Sequence, residues 1–313
     1  MAREAAFIFP GQGAQYVGMG KELYESVPES REIFDLAGKI LKFDLKKLCF
    51  EGPADELANT ANSQVAILVH SIAALNAIRT ANAFTPKIAL GLSLGEYSAL
   101  VSSGCISYEE ALVLVRKRGE FMDFASQKNP GKMVSILGMS MEQVEGLCKG
   151  IGGCEIANLN CPGQIVVSGK ATNIELLASF AKDRGAKRAV LLDVSGAFHS
   201  SLMTPARDKL EKEIDKVTFN VPEYPIISNV TAKPTQDPAE IKQNLITQVN
   251  TKTLFEASVN YVTSQGIKTF VEMGPGSVLK GLIRKIDKTL EVVNIEKPEH
   301  ITALSAVSGP AES

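Results

Sequence analysis

Short apolar runs of strand length alternate with longer stretches of helical period along most of this chain. Residues 5–9 form a continuous apolar run, stopped by Pro10-Gly11, and read as a buried first strand. A second run reaches Gly91, and a helix-forming segment follows it at once. Helical periodicity covers much of 21–46. Residues 64–80 are apolar nearly all round, which predicts a buried helix. His70 lies within that helix with nothing reactive beside it, and is read as a satisfied core histidine. Ser107-Tyr108-Glu109-Glu110 and Ser140-Met141-Glu142-Gln143 each place a serine three residues before Glu or Gln, the signature of a helix start.

The texture changes after Gly131. Strands are predicted over 132–137, 155–160, 164–168 and 188–194, with helices after Ser140 and over 172–184. That order is βαββαβ, the ferredoxin-like split unit. Further helices are predicted over 205–216, 238–249 and 253–265, with strands over 225–230 and 269–273. The expected fold class is α/β. A large α/β-hydrolase-like domain with a parallel sheet is assigned to 1–127 and 198–300, and an inserted small ferredoxin-like subdomain to 128–197. Residues 301–313 are expected to form a flexible tail.

Composition narrows the function classes. The 313 residues are 45% hydrophobic and 22% charged, with a formal net charge of −2, so neither nucleic acid nor a membrane is expected as a partner. The five cysteines show no C-x-x-C spacing, which predicts buried thiols in a reducing compartment and no metal. The N-terminal apolar run is too short for a secretory signal, and the segment 65–78 is broken by His70, Ser71 and Asn76. A cytoplasmic protein is expected, or one in an organelle after removal of a transit peptide.

Chemistry concentrates at Gly91-Leu92-Ser93-Leu94-Gly95. This Gly-x-Ser-x-Gly pattern, between a strand and a helix, predicts a sharp elbow that presents the Ser93 hydroxyl beside a helix N-terminus. A plain glycine-rich turn with a surface serine is the alternative. In the helix that starts at Ser107, the apolar stripe Ala111, Leu114, Val115, Met122 and Ala125 contains Arg118 at its centre. A buried guanidinium needs an anion, either a carboxylate elsewhere in the chain or one that arrives with substrate. Only three histidines exist. Should Ser93 need a base, His199, in the loop Ser195-Gly196-Ala197-Phe198-His199, is the candidate by elimination. The Gly11-Gln12-Gly13 loop superficially resembles a dinucleotide fingerprint, but Tyr16 stands at the third glycine position, so nucleotide binding is rejected. Lys280, Arg284 and Lys288 recur every four residues, as a solvated face or one turned to an acidic partner.

Taken together, residues 9–15 (Phe-Pro-Gly-Gln-Gly-Ala-Gln), 91–96, Arg118-Gly119, Asn160-Cys161-Pro162-Gly163-Gln164, Phe198-His199 and Gly274-Pro275-Gly276 closely resemble the malonyl-CoA:acyl carrier protein transacylases. The resemblance runs to about residue 295. It implies that Ser93 carries the malonyl group as an ester and that His199 serves as base, then acid. It also implies that Arg118 pairs with the free malonyl carboxylate. The N–H groups of Gln12 and Leu94 would form the oxyanion hole, the carbonyl of Gln248 would orient His199, and Asn160 would line the pocket. The implied partners are malonyl-CoA, as substrate, and holo acyl carrier protein, with no cofactor; a monomer is expected. Cys161, Ala197 and Phe198 depart from the pattern at the pocket wall. Two other readings are an esterase or lipase of the Gly-x-Ser-x-Gly type, and a non-catalytic acyl-carrier-binding subunit. The first brings an HGGG-type loop or an Asp-Gly pair, both missing from this sequence, and does not explain Arg118. Intact Ser93 and His199 speak against the second.

Overall fold

The computed structural model describes residues 2–79 and 81–307. Its strands are β1 (Arg3–Phe9), β2 (Phe84–Gly91), β3 (Gly131–Leu137), β4 (Cys154–Cys161), β5 (Gln164–Lys170), β6 (Arg188–Leu191), β7 (Ile226–Ile227), β8 (Pro234–Thr235), β9 (Thr269–Met273) and β10 (Glu291–Ile295). Six of them form a parallel-rich sheet in the order β10-β9-β1-β2-β7-β8, with only β8 antiparallel to its neighbour. Strand β1 is central, and both of its faces are covered. Ala5, Phe7 and Phe9 enter one core cluster, and Ala6 and Ile8 the cluster on the other side. This is why its sequence is a continuous apolar run and not an alternation.

Helices Pro28–Leu41, Thr60–Arg79 and Tyr108–Lys128 cover one face. Thr60–Arg79 is long and apolar enough to cross a membrane, but 89% of its most hydrophobic window is buried inside the protein, as a core helix. Gly119 lets the third of these helices approach it. A Cβ at Gly119 would lie 2.4 Å from the Ala61 Cα, so any side chain there would push the helices apart. The neighbouring residue, Arg118, is thereby brought against Gln64.

The remaining four strands form an antiparallel sheet, β4-β5-β3-β6. Helices Met141–Ile151 and Ala171–Asp183 pack on it around Val134, Ile136, Val144, Leu147, Ile174 and Leu177. Strand β4 is tied to the larger part through Thr253, whose N–H donates to the Ala157 carbonyl at 2.9 Å and whose carbonyl accepts from Leu159 N–H at 2.9 Å.

Several expectations change. The helical stretch 21–46 is broken at Val27, which is extended before Pro28, as a residue preceding proline tends to be. Strand β10 was not foreseen. The expected tail at 301–313 is corrected in part, because helix Pro298–Val307 occupies its beginning. Pro298 opens that helix, His300 Nδ1 accepts the Glu296 and Lys297 N–H groups, and Ile301 and Leu304 pack against the larger core. Residues 308–313 lie outside the described part. His70 is in the core as expected, yet neither ring nitrogen finds a hydrogen-bond partner among the described residues. All five cysteines are free and buried.

Candidate active site

The elbow at the end of β2 is built by three close approaches. A Cβ on Gly91 would lie 2.0 Å from the Gly95 carbonyl carbon, and one on Gly95 would lie 2.0 Å from the Phe9 oxygen. One on Gly11 would meet the Leu92 oxygen at 2.3 Å. With the glycines in place, the Leu92 N–H donates to the Phe9 carbonyl at 3.1 Å, and the turn closes through Gly95 N–H to Leu92 O at 3.0 Å. Ser93 is left at the apex with φ 54°, in the left-handed region that an ordinary residue enters only when its surroundings hold it. Asn229 is one such hold. Its side-chain oxygen accepts the Ser93 N–H at 2.7 Å, and its side-chain nitrogen donates to the Gly91 carbonyl at 2.7 Å.

His199 reaches the elbow from the loop after β6. Its Nε2 lies 2.8 Å from Ser93 Oγ, and its Nδ1 lies 2.9 Å from the main-chain oxygen of Gln248. A carbonyl can only accept, so Nδ1 carries the proton and Nε2 turns its lone pair to the serine. Burial, and then the nearby Arg118 charge, push the imidazole down to about 4, so it is neutral at pH 7.

Arg118 is 1% exposed and completes the cluster. Its guanidinium donates to Gln64 Oε1 at 2.6 Å, to Ser93 Oγ at 2.9 Å and to Gln248 Oε1 at 3.0 Å. It also stands 5.4 Å from the centre of the Tyr97 ring. All these partners are neutral. Glu96 acts on the guanidinium through its charge, but no Asp or Glu among the described residues forms an ion pair with it. Amide dipoles thus hold a desolvated cation beside the serine.

Of the seven residues singled out in the sequence, Ser93, His199, Arg118 and Gln248 share this hydrogen-bonded cluster. Gln12 approaches it through Gln64, Nε2 to Oε1, at 3.5 Å. Leu94 is buried as the residue before helix Gly95–Ser102. Among the described residues, the N–H groups of Gln12 and Leu94 take no part in the turn and loop backbone hydrogen bonds around the elbow. Asn160 lies apart on β4, largely buried; among the described residues its side-chain oxygen has no partner and it makes no hydrogen bond to the other six.

An acyl transferase domain model matches residues 6–304. A malonyl CoA-acyl carrier protein transacylase of Bacillus subtilis is 46% identical over 300 residues, spanning 95% of this chain and 94% of the relative. The chain belongs to the malonyl CoA-acyl carrier protein transacylase family. A crystal structure of acyl-carrier-protein-S-malonyltransferase from Bartonella henselae superposes with a TM-score of 0.94 at 38% identity, covering 99% of this chain and all of that one. A malonyl-transacylase in complex with a type II PKS acyl-carrier protein gives a TM-score of 0.94 at 34% identity, covering 98% of this chain.

Three polar residues of this candidate site escaped the sequence reading. Gln64 is fully buried, but its helix also carries Asn62, His70, Ser71 and Asn76, so no local pattern sets it apart. Glu96 lies within the elbow motif but was assigned no role. Its carboxyl is 2% exposed, accepts from Gln248 Nε2 at 2.8 Å and from the Asn229 N–H at 3.1 Å, and is pushed by burial up to about 7. Asn229 carries no local pattern at all. Among the described residues, no three His, Cys, Asp or Glu side chains come together as a metal site.

Proposed function

We propose that this transacylase moves a malonyl group from malonyl-CoA to the phosphopantetheine thiol of acyl carrier protein by way of an ester on Ser93. Ser93 Oγ attacks the thioester carbonyl as its proton passes to His199 Nε2. The N–H groups of Gln12 and Leu94 receive the developing oxyanion; two well-aimed donors are worth ~3–4 kcal/mol each. When the tetrahedral intermediate collapses, the C–S bond breaks and the imidazolium returns its proton to the departing CoA thiolate. The carrier-protein thiol then repeats the sequence in reverse, giving up its proton to His199 and releasing Ser93. No cofactor enters this scheme.

The observation that carries the reading is the buried Arg118 cation, which has neutral partners only and lies 2.9 Å from Ser93 Oγ. A planar guanidinium suits a carboxylate bidentately. We place the malonyl carboxylate there, with Asn160 at the pocket wall. Acetyl in the same position would leave the cation unpaired.

We also propose that residues 1–127 and 198–300 form one α/β-hydrolase-like domain, and that 128–197 form an inserted ferredoxin-like one. The order β4-β5-β3-β6 supports the second part, since it is the order of a split βαββαβ unit. The chain is proposed to act as a cytoplasmic (or organellar) monomer. Intact-mass spectrometry after mixing with malonyl-CoA tests the central claim. A stable malonyl adduct on Ser93, discharged by holo carrier protein, is expected. Rapid hydrolysis would indicate an esterase, and no adduct a scaffold.

A further inference from the structure

Glu96 is a carboxyl group that the reaction above does not use. Burying such a group is costly unless it is well bonded, and an amide of the same shape would cost less. Its hydrogen bonds lead in two directions from a single oxygen. Through Gln248 Nε2, at 2.8 Å, they reach the residue whose main-chain oxygen holds His199 Nδ1 at 2.9 Å. Through the Asn229 N–H, at 3.1 Å, they reach the side chain that holds the Ser93 N–H at 2.7 Å. The Gln248 amide nitrogen also donates to the Ser93 carbonyl at 2.9 Å, which closes the circuit. Both ends of this circuit are left-handed residues, Ser93 at φ 54° and His199 at φ 57°.

We propose that Glu96 is a positioning residue: its Oε2 acceptor ties the segment that aims the imidazole to the segment that aims the serine hydroxyl, and so sets their separation. It touches neither substrate nor reacting atoms. The inference rests on the Ser93–His199 reading. It requires an oxygen acceptor at this point, whereas a charge is not required, because both of its neighbours there donate.

Malonyl transfer by Glu96→Ala and Glu96→Gln tests this. Glu96→Ala should lower kcat about 10²-fold, the loss expected of a misplacement near 1 Å, with the KM for malonyl-CoA nearly unchanged. Glu96→Gln, which keeps an oxygen acceptor, should stay within about tenfold of wild type. Glu96→Ala at wild-type kcat would overturn the proposal, and so would Glu96→Gln as slow as a variant without an acceptor. Should Glu96→Ala not fold, Glu96→Leu, which fills the site but lacks an acceptor, replaces it and is judged by the same criterion. Acyl-enzyme formation, followed by mass spectrometry, separates the two levels of argument. If wild type forms no adduct on Ser93, the reading of the site fails. If wild type does and Glu96→Ala forms it at the same rate, only the role of Glu96 fails.

Discussion

Ser93 and His199 face each other at 2.8 Å, Oγ to Nε2, and each is held in left-handed backbone that a non-glycine residue seldom adopts. The strain at Ser93 belongs to the elbow, where three glycines let neighbouring strands and turns cross. At His199 it is held on both sides: Ser168 Oγ donates to the Phe198 carbonyl at 2.5 Å, and Ser200 Oγ to that of Ala197 at 2.6 Å. Strain of this kind costs of order 1–3 kcal/mol per residue and persists only where the surroundings enforce it. Here it aims the only lone pair of a neutral imidazole at the only serine of the elbow.

Removal of that imidazole should slow acylation of Ser93. His199→Ala is expected to lose about 10²–10⁴-fold in the single-turnover rate with malonyl-CoA. The wild-type pH profile carries a sharper signature. A histidine acting as base works only when neutral, and burial depresses the folded-state value of His199 to about 4. Acylation should therefore be insensitive to this group from pH 8 to 5 and fall only as pH drops toward 4. A fall centred near 6.5, the ordinary histidine value, would mean that burial does not control the base. Stopped-flow rates of CoA release across that range decide between the two.

Arg118 should discriminate between acyl groups more than it accelerates any of them. Its Nη2 donates to Ser93 Oγ and to Gln248 Oε1, so an incoming carboxylate has to take over donors already in use. Exchange of neutral acceptors for an anion favours malonyl, whereas acetyl offers nothing in return. Arg118→Ala should reduce kcat/KM for malonyl-CoA by a few kcal/mol more than for acetyl-CoA, or about 10²-fold in the ratio. Competition between the two thioesters measures that ratio directly, and equal losses would remove the carboxylate from this position.

The parts of this arrangement that were legible in the sequence are those set by local pattern. The serine between its glycines was legible because the crossing at Phe9 tolerates nothing larger. Arg118 was legible because a helix repeats every 3.6 residues, so its place on the apolar stripe could be counted. The start at Ser140 was legible because a capping box lies within four residues, and both of its hydrogen bonds form. What could not be read depends on chain segments distant in sequence. Asn229 is 136 residues from the Ser93 it holds, and Glu96 is 152 from Gln248. Gln248 was reached only through the family resemblance. Residues 301–307, expected as the start of a tail because their small side chains resemble a linker, belong to the helix Pro298–Val307, where Ile301 and Leu304 meet the core.

Gly119 ties helix packing to the site. Gly119→Ala inserts a methyl group where 2.4 Å separates it from the Ala61 Cα, so the helices must separate. Overpacking of this sort costs about 1–3 kcal/mol. Because Arg118 and Gln64 lie on the two helices involved, their 2.6 Å hydrogen bond should loosen at the same time. The expected result is a lower Tm together with a reduced preference for malonyl over acetyl. A fall in Tm with selectivity intact would separate packing at Gly119 from the placement of Arg118.

His70 should make the fold sensitive to acid. Burial pushes its imidazole down to about 4 in the folded protein, against 6.5 for an ordinary histidine, and neither nitrogen has a partner among the described residues. Above pH 6.5 both folded and unfolded chains carry it neutral, and it contributes no pH dependence. As pH falls from 6.5 toward 4 the unfolded chain takes up a proton that the folded chain refuses, so stability is lost across that window. At pH 5 the loss from this one residue is about 2 kcal/mol, at 1.36 kcal/mol per unit. His70→Leu removes the titrating group and keeps an apolar side chain in the helix. Its absolute stability depends on how leucine packs, but its change in stability between pH 7.5 and 5 should be smaller than that of wild type by about this amount. Urea unfolding of both proteins at the two pH values measures the difference. Equal acid losses would mean that the His70 imidazole is as easily protonated in the folded core as in the unfolded chain.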